Sequence, residues 1–428
     1  MHHFARSLVP VGARHLLPRS PKRVVVIGGG PTGIFCADRL RHHFEVTLVD
    51  SKEFFEFTPG VLRALVNPAH HSRITFDYRE VLEKQLGIEF VLGEASHLED
   101  SAGERGAGSI SVASSFGPQQ LTFDYCVVAV GVSNGQWKPR MPGRASSSQA
   151  DSSLDERKLD ARRASLMQLR ERVATAHRAI VVGAGLVGVE LAAELAHFAP
   201  RLKVRLVDGA PTVLPQLADS ARVYADEWLK QQNVKCFLNT PFKKELVGES
   251  DIVFWCVGTQ SRSAGLFKDS SVLRNNGQIR VNKRMQVLRQ LGPPRMSSAD
   301  TPGNPVEFEP AGHGRVFAVG DAASIEGVPT AQIIFHGEEM AAIAVSNIEA
   351  AEGVASPLNF GQGLREAEPG LPLLTCTSLG PQDGMFSTQS ELVATGGFAA
   401  LQKQAIEETK MGDLKGEFVC KSMWMPVH

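Results

Sequence analysis

The chain has 428 residues, is 43% hydrophobic and 21% charged, and carries a formal net charge of −1. That length exceeds one ordinary core and calls for two or three domains, while the near-neutral balance offers no basic field for nucleic acid. No apolar run approaches the ~20 residues that span a bilayer, and the six cysteines, none in a CxxC pair, fit neither a metal site nor a disulfide framework.

Residues 1–22 carry Arg6, Arg14, Arg19 and Lys22 and no acid, with apolar residues interspersed. Such an arm reads as a mitochondrial transit peptide. The alternative is a plain disordered extension of a cytoplasmic protein. His2 stands where N-myristoylation requires glycine.

The β-branched run RVVVIGG predicts a buried strand, and GGGPTG follows it with Gly28, Gly30 and Gly33 spaced GxGxxG. A helix is expected over 34–41, then a strand EVTLVD that ends in Asp50. Each glycine has a separate task. The first permits the tight turn, the second lets backbone approach a pyrophosphate, and the third packs helix on strand. The helix N-terminus then faces the anion, and the acid accepts from a ribose diol. Helical pattern recurs at 60–65 and 78–86. Strand IEFVLGEA follows, then a Gly/Ser-rich excursion at 101–120 and a buried strand FDYCVVAVG closing on Gly131.

A polar linker at 143–153 and a helix precede a second fingerprint, AIVVGAGLVGVELAAEL, with Gly183, Gly185 and Gly188. Strand KVRLVDG supplies its acid, Asp208. A helix DSARVYADEWLKQQ, a strand VKCFLN and a strand at 251–258 closing on Gly258 complete this unit. The Pro/Gly/Ser-rich stretch 288–314 reads as a surface insertion before strand RVFAVGD and a long helix from TAQIIFHGEE. The fold class is α/β, with two Rossmann-like dinucleotide-binding domains, the first interrupted by the second, and a C-terminal α+β module. The expected boundaries are arm 1–22, first domain 23–142, linker 143–165, second domain 166–287, insertion and return of the first domain 288–371, and C-terminal module 372–428.

Asp208 also speaks to cofactor choice: an acid repels a 2′-phosphate, and no arginine follows within GAPTVLPQL. NADH is therefore favoured, with NADPH as the alternative. Two dinucleotides in one chain imply electron traffic between them.

In motif order the chain resembles the two-dinucleotide-binding flavoproteins, and within them the ferroptosis-suppressor type of apoptosis-inducing-factor-like oxidoreductases and, more loosely, type II NADH dehydrogenases. VDSKEFFEFTPGVLRALV, FHGEEMAAIAVSNI, SLGPQDG and FVCKSMW carry the likeness. A lone Cys36 in the first helix, without the CxxxxC of disulfide reductases, sets it apart from them. The resemblance implies FAD at the first fingerprint and NAD(P)H at the second. It implies FAD contacts from Gly28, Gly29, Gly30, Pro31, Thr32 and Gly33, with Asp50, Lys52, Arg63, Ala95 and Gly131. In RVFAVGDA, Gly320 and Asp321 take the family's Gly-Asp position, whose carboxylate meets the ribityl chain. Glu190 takes the place of a glutamate between flavin and nicotinamide. Gln332, His336 and Phe418 correspond to quinone-pocket positions, His336 doubling as a catalytic candidate. Ala311 stands where the family has threonine, and Asp413 where a lysine precedes the terminal aromatic, with Lys410 and Lys415 nearby.

The expected activity is hydride transfer from NADH to FAD and onward reduction of a quinone or similar acceptor, with no metal. Peripheral membrane contact and a homodimer are the further expectations. Two rival readings remain: a redox-sensing interaction protein with slow turnover, and a reductase of a protein acceptor.

Overall fold

A computed structural model describes residues 21–100, 108–114, 117–133, 137–139, 154–291, 306–354, 364–370 and 372–424. The basic arm, the polar linker and the tip of the insertion lie outside the described residues.

The strand Arg23–Ile27 forms because four consecutive β-branched residues, Val24 to Ile27, are covered on both faces. It is the third strand of a seven-stranded sheet. The order is Val316–Ala318, Tyr125–Val128, Arg23–Ile27, Glu45–Asp50, Glu89–Glu99, Gly108–Ser114, Gly117–Phe123. The first five are parallel, and the last two form an antiparallel hairpin on the end, where the sequence has its Gly/Ser-rich excursion. The strand Val316–Ala318 returns to pair with Tyr125–Val128 after a whole second unit has intervened. That unit is a four-stranded parallel sheet in the order Lys235–Phe237, Lys203–Val207, Arg178–Val182, Asp251–Trp255.

In both sheets the chain runs outward from the fingerprint strand on one side and comes back to its other side. Each fingerprint turn therefore sits at a topological switch point, the crevice where open α/β sheets bind ligands. The helix Pro31–Leu40 packs Ile34, Phe35 and Leu40 into the first core, each contributing roughly 1.5–3 kcal/mol. The helix Ile334–Ala351 lies against it, with Gly337 beside Thr32: a Cβ at Gly337 would stand 2.8 Å from Thr32 Oγ1. This long helix begins at Ile334, so Gln332 sits in the approach to it.

The segment after Asp50 is only partly as expected. The helix Val61–Val66 is present, and a further short helix Pro68–Arg73 follows it. The turns at Arg79–Gln85 are wider than α, with Leu86 N–H reaching Val81 C=O at 3.0 Å. At the two ends of the stretch 288–314, Leu288–Gln290 pairs antiparallel with Phe308–Pro310. A short ribbon, Val132–Ser133 on Gln260–Ser261, joins the two dinucleotide units.

A buried ion cluster fixes the helix Leu159–Thr175 to the first unit. Arg162 donates bidentately to Glu56 (2.9 and 3.0 Å) and to Glu156 (3.0 Å), and His71 Nε2 lies 2.9 Å from Glu56. Burial works against the Glu56 carboxylate, but Arg162 and His71 outweigh it and hold its pKa below the usual range. The C-terminal module is an antiparallel sheet of Thr375–Ser378, Gly384–Ser387 and Leu392–Thr395, followed by helices Gly396–Leu414 and Phe418–Met423. Among the described residues no helix is long and apolar enough to cross a membrane, and no cluster of His, Cys, Asp and Glu could hold a metal.

Candidate functional site: two dinucleotide turns and a shared cleft

The two fingerprint turns are built alike atom for atom. Gly28 has φ +105° and Gly183 φ +111°, a region closed to most side chains. Their N–H groups donate to Val49 C=O and Val207 C=O, both at 2.8 Å. A Cβ at Gly33 would lie 1.9 Å from Gly28 O, and one at Gly188 1.8 Å from Gly183 O. Only glycine lets either helix sit so close to its turn. Gly30 and Gly185, at the two helix N-termini, would meet nothing within 4 Å. Each is a cradle with open space in front of unpaired helix N–H groups, which is what a pyrophosphate requires.

The two acids also match. Asp50 accepts from Gly29 N–H at 2.7 Å, and Asp208 from Ala184 N–H at 2.6 Å. Asp50 takes Lys52 N–H (2.9 Å) and Lys52 Nζ (2.8 Å) besides. Burial pushes its pKa up, but the Lys52 charge and three donors pull it below the usual carboxylate range. Tyr78, fully buried, donates to Gly29 C=O at 2.6 Å and closes this turn from outside. Asp208 is half-exposed and takes its second bond from Ala210 N–H at 2.7 Å.

Close to the first turn lie Gly131 (φ +63°) and Gly320 (φ +69°): a Cβ at Gly320 would stand 3.0 Å from Thr32 Oγ1 and one at Gly131 3.7 Å from Lys138 Nζ. Asp321 lies deep, and burial raises its pKa against the opposing pull of Lys138. Lys52 Nζ lies between Asp50 (2.8 Å) and the Tyr78 hydroxyl (3.4 Å). Ala95 lies partly exposed on the strand Glu89–Glu99, where it pairs with Val112. In the second unit Gly258 (φ +72°) closes the strand Asp251–Trp255 and is exposed.

Arg63 and Glu190 come together elsewhere, at a polar cleft where the three modules meet. Its walls include Pro59, Gly60, Arg63, His70, Glu190, Glu194, Ser378, Lys403 and Glu407. Glu190, on the helix Leu186–Phe198 opened by the second turn, accepts from Ser378 N–H at 2.8 Å and Lys403 Nζ at 2.6 Å. One turn on, Glu194 accepts from Arg63 at 2.7 Å, and Arg63 also bonds Ser378 Oγ and Gly380 C=O. Like charges four apart on a helix repel, and here each has its own cation.

Gln332, His336 and Phe418 do not line this cleft. Thr259 Oγ1 donates to Gln332 Oε1 at 3.1 Å. His336 is buried with both ring nitrogens used: Ala331 N–H donates to Nδ1 at 2.8 Å, so Nε2 carries the proton and donates to Pro372 C=O at 3.1 Å. That fixes a neutral tautomer with no nitrogen left over. Phe418 is 85% exposed on the last helix. Asp413, which stands at the family's lysine position, pairs with the buried Lys410, as does Glu338, and it is Lys403 that reaches Glu190. Lys403, Ser378, Glu194, Tyr78 and Lys138 were not among the residues expected. The i, i+4 spacing of Glu190 and Glu194 was the one available signal among them.

The model of the pyridine nucleotide-disulphide oxidoreductase family matches residues 22–291. Apoptosis-inducing factor homolog B of Dictyostelium discoideum is 25% identical over 413 residues, covering 88% of this chain and 92% of the relative. Type II NADH:quinone oxidoreductase Ndh of Mycobacterium tuberculosis is 28% identical over 354 residues, 73% of this chain and 69% of the relative. Ferroptosis suppressor protein 1 of Xenopus tropicalis is 24% identical, with 85% and 87% covered. The solved structure of NDH2 from Plasmodium falciparum with NADH superposes with a TM-score of 0.65 at 13% identity, over 95% of this chain and 99% of that one, a likeness of fold. With two dinucleotide turns at two switch points and the family model spanning both, the chain belongs to the pyridine nucleotide-disulphide oxidoreductase family and is an FAD- and pyridine-nucleotide-dependent oxidoreductase.

Proposed function

We propose that the protein oxidises NADH at the second turn and reduces a quinone by way of FAD held at the first. The observation that carries the reading is Glu190. It grows from the helix of the second turn, yet its carboxylate is held by the C-terminal module, so nucleotide, flavin-domain helices and acceptor module converge on one cleft. Relatives named for quinone reduction agree with it: the mycobacterial Ndh and a demethylphylloquinone reductase of Synechocystis, 26% identical over 294 residues.

FAD supplies the two-electron chemistry. The chain's residues bind and orient. Asp50, Lys52 and Asp321 hold FAD, Asp208 the NADH ribose, and Glu190 the nicotinamide carboxamide. Reducing a quinone with the hydride of NADH consumes one further proton. In the cleft Lys403 holds Glu190 and Arg63 holds Glu194. His70 Nε2 lies 3.3 Å from Glu407 in the same cleft, which suits this pair to pass that proton to the acceptor.

Stopped-flow measurement decides. Rapid bleaching of the flavin by NADH and rapid recovery with a short-chain ubiquinone are expected. A long-lived charge-transfer complex with negligible quinone turnover would establish the redox sensor instead. Recovery only with a protein acceptor such as a ferredoxin would establish the third reading.

The finer assignments rest on other residues. Phe398 and Leu401 on one C-terminal helix and Phe418, Val419 and Met423 on the other are exposed, and exposed apolar side chains of this kind serve peripheral membrane contact. Sedimentation with phospholipid vesicles tests this, and self-association without vesicle binding would make them a homodimer face. The acid-free arm directs the protein to mitochondria, and a diffuse reporter fused to residues 1–22 would refute that.

A further inference from the structure

The first turn carries a glycine that its motif does not ask for. GxGxxG leaves its second position free, and the second turn fills it with Ala184. The first turn has Gly29 there, and Tyr78 supplies the reason. A Cβ at Gly29 would stand 2.6 Å from the Tyr78 hydroxyl and 2.7 Å from the ring carbon that bears it. Tyr78 is fully buried, tilted against Phe90 at 5.0 Å and edge-on to Phe76 at 6.3 Å. A ring so packed does not give way, and the residue beneath its hydroxyl has no side chain.

The close approach is a hydrogen bond, from the Tyr78 hydroxyl to Gly29 C=O at 2.6 Å. Gly29 N–H donates to Asp50 at 2.7 Å, so the residue is held at both ends. Burial and the Asp50 charge push the Tyr78 pKa well above its ordinary value, and the hydroxyl keeps the proton it donates. A planar trans peptide sets its C=O and the following N–H in opposite directions. Pinning Gly29 C=O on the tyrosine side therefore turns Gly30 N–H the other way, and at Gly30 a Cβ would meet nothing within 4 Å. The second turn pins its matching carbonyl, Ala184 C=O, with a backbone donor, Leu214 N–H at 2.8 Å. The direction of this one N–H counts for more in the first turn. Its helix opens on Pro31, which has no N–H to offer an anion, whereas the second opens on Leu186.

We propose that Tyr78 is a positioning residue for FAD: its hydroxyl sets the Gly29–Gly30 peptide so that Gly30 N–H points at the pyrophosphate. This rests on the assignment of FAD to the first turn. It makes cofactor retention depend on a side chain outside the fingerprint, and it accounts for the third glycine of GGG.

The test is FAD affinity of the deflavinated protein, followed by flavin fluorescence, together with phosphorus NMR of the reconstituted protein. Tyr78→Phe keeps the ring and removes the hydroxyl. It should weaken FAD roughly tenfold, the loss of one well-aligned bond to a charged group. It should also shift the pyrophosphate resonances and leave NADH affinity at the second turn unchanged. Phe90→Leu is the control, because it loosens the ring's packing and spares the hydroxyl. It should melt earlier than wild type, bind FAD within about twofold, and keep the wild-type resonances. Tyr78→Phe with FAD affinity within about twofold of wild type and unshifted resonances would overturn the proposal. So would Phe90→Leu moving affinity and resonances as far as Tyr78→Phe does, since the tyrosine would then serve packing alone. If Tyr78→Phe fails to fold, judged by loss of NADH binding, Gly29→Ala is read in its place. The added methyl displaces the hydroxyl, and wild-type affinity and resonances in that variant overturn the proposal equally. Wild type that takes up no FAD would instead sink the FAD reading itself.

Discussion

The first and second dinucleotide turns share their backbone and the bond from it to an acid, and differ in what encloses them. Gly29 C=O is capped by a buried tyrosine, whereas its counterpart Ala184 C=O is capped by Leu214 N–H at 2.8 Å. Asp50 is 9% exposed and locked by lysine, while Asp208 is half-exposed and followed by an exposed Gly209. Gly320 and Gly337 close over Thr32 in the first unit. In the second, Val257 is 52% exposed and Gly258 would meet nothing within 4 Å. The same fingerprint is thus set in a sealed crevice once and an open one once. A sealed site suits a cofactor that stays, and an open one a nucleotide that must leave after each turnover. The glycine pattern specifies the turn, and the surrounding residues specify how enclosed it is.

Breaking one turn at a time gives the largest effects. Gly33→Ala and Gly188→Ala each drive a methyl into a backbone oxygen that cannot give way. Overpacking of this kind costs about 1–3 kcal/mol or more. Gly33→Ala should purify without flavin and melt earlier. Gly188→Ala should stay yellow, with NADH affinity reduced at least about tenfold. Absorbance at the flavin bands and NADH titration read both. A Gly188→Ala protein that loses flavin while keeping NADH would reverse the assignment of the two sites.

The part of this that sequence could reveal is the part encoded within a few residues. GGGPTG and GAGLVG fixed both turns, and EVTLVD and KVRLVDG fixed both acids, because strand, turn and helix are local. The interruption was legible as well, since RVFAVGD has the β-branched pattern of a buried strand and no neighbour nearby in sequence to pair with. The cleft was not legible. Glu190 and Lys403 lie on different modules, and a lysine on an amphipathic helix looks the same whether it faces water or a carboxylate. The surroundings of His336 were hidden for a related reason: helical periodicity marks its face but not that Ala331 N–H and Pro372 C=O take both nitrogens. Tyr78 reaches Gly29 C=O through a tertiary contact alone.

The sealing of the first turn can be weakened by acid. Asp50 has its pKa depressed in the fold, so it adds stability above the unfolded carboxylate value of about 3.9, and that stability is lost as pH falls through its lower folded value. Wild type should therefore hold its flavin down to about pH 4. Lys52→Met removes the cation and leaves burial to act on Asp50 alone, which raises its pKa. Flavin release should then begin at a higher pH, seen as a shifted midpoint in flavin fluorescence against pH. An unchanged midpoint would show that the Gly29 and Lys52 N–H groups suffice without the ammonium.

The smallest expected effect tests the open turn. Asp208 is oriented by Ala184 N–H and Ala210 N–H so that its carboxylate faces the crevice edge, where an adenosine ribose would present its hydroxyls. A carboxylate accepts from the free 2′-hydroxyl of NADH and repels the 2′-phosphate of NADPH. Wild type should show the higher kcat/KM with NADH. Asp208→Ser keeps a short polar side chain, removes the charge, and should narrow the NADH to NADPH ratio by roughly tenfold, about the 1–1.5 kcal/mol of one hydrogen bond to a charged group on an exposed edge. An added arginine at exposed Gly209 should narrow it further, since a guanidinium pairs with phosphate. Flavin content should stay constant throughout, because nothing in the sealed turn has been touched. If the ratio holds in Asp208→Ser, the acid serves only to brace the turn, as its two backbone donors already allow, and nucleotide choice must come from residues beyond the fingerprint.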